Sequence, residues 1–120
     1  MKLVQGILLG VVLATSAMAQ DKGEAKNGDI ATLRALDTIT GIVKDLPLKP
    51  GERITYERLT IRLRECRYTD TDSYASLVIR DVREEAPRFD GWMVASSPAL
   101  SAMDHPRYDV WLLSCKTSGG

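Results

Sequence analysis

Two cysteines, Cys66 and Cys115, stand behind an N-terminal export signal, and this combination limits the fold more than any other feature of the chain. Met1-Lys2 forms a short positive start. Leu3 to Ala14 is an apolar run broken only by Gln5 and two glycines, and Ala17-Met18-Ala19 supplies the small-x-small pattern that signal peptidase accepts. Residues 1–19 are therefore expected to be a signal peptide cut before Gln20. The apolar stretch falls short of the ~20 residues a spanning helix needs, so no stable membrane anchor is expected after cleavage. No cysteine follows the cut to carry a lipid. An exported chain matures where thiols oxidise, so an even cysteine count predicts a disulfide. C-x-x-C spacing, which would tune a redox thiol, is absent. Closing so long a loop contributes roughly 4 kcal/mol on the chain-entropy model, a large share of the roughly 5–15 kcal/mol that holds a whole domain.

Charge excludes some functions. The full chain carries 16 basic and 16 acidic residues. Loss of Lys2 with the signal leaves a net charge of −1. That is no footprint for nucleic acid or for general polybasic membrane attachment. The length allows one domain with a modest core.

Along the mature chain, residues 20–29 are polar and aperiodic and read as a flexible leader. A single β domain is expected over 30–116, and a disordered tail over 117–120. Ile30 to Leu36 has β character. Asp37-Thr38-Ile39-Thr40-Gly41 reads as a turn, and 42–46 as a returning strand stopped by Pro47. Pro50-Gly51 fits the centre of a type II turn. The clearest strand is Leu59 to Cys66, where Leu59, Ile61 and Leu63 alternate with Thr60, Arg62 and Arg64. Cys66 falls out of parity with the leucines. Either the strand bulges near Glu65 or the cysteine faces the other way. Further strands are expected at 74–82, 89–94 and 108–115, with a short helical turn between Ser97 and Met103 opened by Pro98. Six or seven short strands, one helical turn and one disulfide make an all-β chain, a small β-sandwich or barrel.

The segment FDGWMVASSPALSAMDHPRYDVWLLSC at 89–115, with ATLRALDTITG at 31–41, the Pro-Gly turn and LTIRLREC at 59–66, resembles the domain-of-unknown-function family 2155 of small exported alphaproteobacterial proteins. The resemblance covers nearly all of the mature chain. It implies paired cysteines at positions 66 and 115 and a variable segment at 69–73, and little about activity.

Three groups of residues are candidates for function. His105 stands between Asp104 and Pro106, with Ser96, Ser97 and Ser101 upstream and Asp109 downstream. A small serine hydrolase would need one hydroxyl and one carboxylate on its two ring nitrogens. The G-x-S-x-G elbow that would present such a serine is absent, and the plainer expectation is that Ser96 and Ser97 cap the helical turn while His105 is an ordinary loop residue. A metal site would have to draw on Cys66, Cys115, His105 and Asp109, which disulfide formation disfavours. Asp70-x-Asp72 lacks the rest of a calcium loop and reads as a solvated turn. Arg58, Arg62 and Arg64 share one face of the clearest strand and either grip an anionic partner or pair with neighbouring acids. Trp92, Trp111 and Tyr108 are large enough to fill the centre of so small a domain, but Tyr108 also belongs to the 95–109 loop. That loop, with Ser96, Ser97, Asp104, His105 and Tyr108, is the leading binding candidate, either as a recognition loop or as a rigid lid. The expected function is a periplasmic, non-enzymatic binding or assembly module for an envelope protein. A small-ligand carrier is a further alternative, and no cofactor or metal is expected.

Overall fold

The computed structural model describes residues 24–118. The expected signal peptide and its cleavage point lie outside the described residues. Eight strands form two antiparallel sheets. The larger sheet contains β1 (Lys26–Gly28), β4 (Arg53–Tyr56), β5 (Leu59–Tyr68), β6 (Ser73–Asp81) and β7 (Phe89–Val94). Its order is β1-β5-β6-β7, with β4 pairing β5 beside β1. The smaller sheet has the order β3-β2-β8, from β3 (Val43–Leu48), β2 (Ile30–Asp37) and β8 (Tyr108–Lys116). One 3-10 turn, Pro98–Ser101, joins β7 to β8.

Period-two alternation builds the interior. Ala31, Leu33 and Ala35 of β2 and Val110 and Leu112 of β8 point inward from the small sheet. They meet Leu59, Ile61 and Leu63 of β5 and Ala75, Leu77 and Ile79 of β6. All eleven side chains leave water almost completely, which is the main stabilising term of the sandwich.

A bulge explains the odd parity of Cys66. The β5–β6 register shifts between Leu63 and Glu65. The extra residue turns Cys66 back to the core face, where it bonds Cys115 of β8 with an S–S distance of 2.03 Å and Cα atoms 5.9 Å apart. The disulfide thus ties the two sheets together at one end.

Four sequence expectations need correction. Part of the supposed leader is strand: β1 pairs Gly28 with Cys66, and Asp29 donates to the Lys116 carbonyl at 3.0 Å. A side chain at Gly28 would overlap the Cys115 sulfur, so the polar stretch is held by a close approach that no periodicity announces. Ser118 in the supposed tail bonds Asp29. Pro47 does not stop its strand. β3 is an edge strand, where a missing N–H costs no ladder bond on the open side, and Pro47 sits opposite Thr32. β4 was too short to read from alternation and raises the strand count to eight. The Pro50-Gly51 turn forms as expected, with Gly51 at φ 87° and Glu52 donating to the Lys49 carbonyl at 2.9 Å.

Candidate functional site

The 95–109 loop leaves the disulfide end, where the Ala95 amide donates to the Ser73 carbonyl, and runs to the opposite end of the sandwich, where β8 begins. Its anchor is Asp81 at the end of β6, whose side chain is 1% exposed. Asp81 Oδ2 lies 2.9 Å from His105 Nε2 and 3.0 Å from Arg58 Nη2, and Oδ1 accepts from the Arg83 amide at 2.9 Å. His105 Nδ1 accepts backbone N–H groups from Arg107 at 3.0 Å and Tyr108 at 3.3 Å. That bonding puts the ring proton on Nε2, where it is donated to Asp81. His105, Arg83 and Arg58 all donate to the Asp81 carboxylate and hold it well below the usual carboxylate range, against the opposing effect of burial.

A second anchor reaches the other sheet. Arg107 grips Asp37 at the end of β2 through Nε at 3.1 Å and Nη2 at 2.8 Å. The amides of Ile39 and Thr40 also donate to Asp37, in the turn that Gly41 completes at φ 77°. The Arg107 bond, more than these amides, lowers the Asp37 carboxyl to about 2 from 3.8. Thr38 donates to the Arg107 carbonyl from both its amide and its hydroxyl. Arg88 donates to the Asp104 carbonyl at 3.0 Å while its other nitrogens pair with Glu84. At the front of the loop, Ser96 Oγ donates to Asp72 Oδ2 at 2.5 Å and its amide to Oδ1 at 3.0 Å. Ser96 is the main reason the Asp72 carboxyl titrates low.

The sequence candidates separate in this frame. His105 is fully buried, and both its ring nitrogens are engaged, so neither is free to take a proton from Ser96, Ser97 or Ser101. Tyr108 is interior too, with its ring 5.5 Å from Tyr56 in an edge-on contact and 5.0 Å from His105. The guanidinium groups of Arg58 and Arg107 lie 5.7 and 5.3 Å from the Tyr108 ring centre, a favourable cation–π placement. Neither His105 nor Tyr108 offers a surface for recognition. Ser97 makes no side-chain cap; its carbonyl instead accepts from Leu100. Ser96 serves Asp72 rather than the turn. Asp72 is thereby a half-buried acceptor, not a solvated loop residue. Cys66 and Cys115 are spent in the disulfide and cannot ligate a metal.

Apolar residues face outward from the same loop. Leu100 is 80% exposed on the 3-10 turn. Beside it, Pro98, Ala99, Ala102, Met103, Val110 and Trp111 line a cleft of about 310 Å³, with Asp109 at the rim. Leu100 and this cleft were missed from the sequence because Ser97–Met103 read only as a helical turn. Trp111 is half-buried, and Trp92 is 42% exposed on β7 with the Arg67 guanidinium 5.9 Å from its ring, so neither tryptophan fills the core.

The three arginines of the clearest strand also part company. Arg58 leaves that face for Asp81, with its Nε buried and unbonded. Arg64, in the bulge, pairs with Asp90 at 2.6 Å and reaches Ser76 and the Leu77 carbonyl. Only Arg62 stays on the open face without an ion-pair partner among the described residues.

Comparison with known proteins agrees with the motif resemblance. Residues 31–115 match the family described as "Uncharacterized protein conserved in bacteria (DUF2155)". An uncharacterized protein of Rickettsia prowazekii (strain Madrid E) is 32% identical over 99 residues, covering 77% of this chain and 64% of the relative. The chain thus spans a little under two thirds of that relative's length. No solved structure matches. With the matched segment running from β2 to the second cysteine and including every anchor of the 95–109 loop, the chain belongs to the DUF2155 family.

Proposed function

We propose that the protein is an exported, non-enzymatic binding module of the periplasm, and that the 95–109 loop holds an aliphatic segment of an envelope protein. The observation that carries this reading is the contrast within the loop. Ser96, His105 and Arg107 turn their side chains inward, onto Asp72, Asp81 and Asp37, and the Asp104 carbonyl accepts from Arg88. The loop's apolar residues are left outward, with Leu100 beside a preformed cleft floored by Val110 and Trp111. A loop fixed in advance loses little freedom on binding, so an exposed leucine and a half-buried tryptophan there can act as anchors.

Site-specific photocrosslinking in intact cells tests the reading. A benzoylphenylalanine at position 100 is expected to capture one discrete envelope protein. The adduct should vanish when Ala102→Asp places a charge in the cleft. The same probe at the exposed Thr71 should give none. Absence of an adduct at 100, or equal adducts at 100 and 71, would defeat the proposal.

A further inference from the structure

The solvent face of the larger sheet carries a feature that the loop does not explain. Strand register places Arg53 of β4 directly opposite Arg62 of β5, and Arg62 opposite Val78 of β6. Ile54 and Tyr56 on β4, and Ile61 and Leu63 on β5, turn inward, so both arginines point out on the same face. In the adjacent row, Thr60 faces Arg80. Like charges directly opposed across two strands destabilise a sheet. Among the described residues neither Arg53 nor Arg62 has a carboxylate partner to relieve this. The one acid of the neighbourhood, Asp90, is held by Arg64. Arg80 gives one nitrogen to the Glu85 carbonyl, which leaves its charge uncompensated.

These side chains line a groove of about 280 Å³, bounded by Arg53, Thr60, Arg62, Arg64, Arg80 and Asp90 with Val78 at its floor. Four guanidinium groups meet one carboxylate there, in a domain whose mature charge is about neutral. We propose that this groove is a binding site for a small, soluble, phosphate-bearing ligand. Guanidinium forks match phosphate oxygens two bonds at a time. A phosphate between Arg53 and Arg62 would turn their repulsion into a shared attraction, and the Thr60 hydroxyl can add a donor. A membrane surface fits less well. The site is a recess rather than a rim, its floor is a half-buried valine with no aliphatic side chain to insert, and a near-neutral domain gains little from an anionic bilayer.

The test uses the mature, disulfide-intact protein and inorganic pyrophosphate as probe, read by amide NMR at about 50 mM salt, where screening still permits surface electrostatics. Amides of β4, β5 and β6 around Arg53, Arg62 and Arg80 should shift saturably. Arg62→Gln and Arg53→Gln should each weaken binding about tenfold or more, as expected for loss of a charge-assisted contact. Arg34→Gln, on the other sheet, should leave it unchanged. Without ligand, Arg62→Gln should melt no lower than the wild type, because the like-charge pair is relieved. The proposal is overturned by absent saturable shifts, by equal weakening in Arg34→Gln and Arg62→Gln, or by binding seen only with phosphatidylglycerol vesicles and not with pyrophosphate.

Discussion

Where β1, β5 and β8 meet, Cys66 and Cys115 close the sandwich with a covalent bond. At the opposite end the closure is made by Asp81, His105, Arg107 and Asp37, through hydrogen bonds and ion pairs from side chains that lie far apart along the chain. The bridge at the first end does not titrate. The second end depends on pH and on the placement of its neighbours, because a buried carboxylate is stabilising only while its donors stay in reach. At the covalent end Ser73 bonds the Cys115 backbone and the 95–109 loop takes its start. The hydrogen-bonded end fixes the far part of that loop, at His105 and Arg107.

Breaking each end in turn sharpens this contrast. Replacing both cysteines by alanine should cost the most, about 4 kcal/mol of unfolding free energy by the loop-closure model. Denaturant unfolding of the double variant against the oxidised protein measures it. The loop anchors should stay in place in the surviving folded fraction, so Leu100 should remain as exposed as before. His105→Leu keeps the volume but strips the Asp81 bond and the acceptor of the Arg107 and Tyr108 amides. It should cost roughly 3 kcal/mol, and hydrogen exchange should show the 95–109 amides opening while those near Cys66 stay protected. An equal loss of protection at both ends would refute the division.

The smallest effect is the acid response. Asp37 is held at about 2, below its ordinary 3.8, because its charged form is bound by Arg107. A depressed carboxyl contributes its stability in full above the ordinary value and loses it as pH falls through the folded value. The melting temperature should therefore decline between about pH 4 and pH 2, with the disulfide intact. Asp37→Asn should start lower at neutral pH and show a flatter decline over that window. An unchanged slope in the variant would locate the acid sensitivity elsewhere.

The strands were legible where alternation was long. Leu59 to Leu63 shows its inward face without help, while the broken parity at Cys66 left a bulge and an opposite-facing cysteine equally open until the register shift decided for the bulge. β4 offers only Arg-Ile-Thr-Tyr, too few residues for a period to emerge. β1 has no apolar residue, and its place depends on the fit of Gly28 against the sulfurs, a tertiary condition. The loop anchors were illegible for a related reason. Asp37, Arg58, Asp81 and His105 sit at the ends of different elements, and only the packing of two sheets brings them together. The sequence pattern of Asp37 through Gly41 did mark a turn, but not that its first carboxylate would hold Arg107. His105 was conspicuous as the single histidine, yet its role is internal support.

Gly28 has a chemical consequence for the bridge it touches. Gly28 of β1 lies against the Cys66–Cys115 sulfurs so closely that no β-carbon fits between, and both cysteines are almost wholly shielded. A thiol reductant must wait for that short strand to lift. The rate of reduction then clocks the lifting of a three-residue flap rather than the melting of the whole domain.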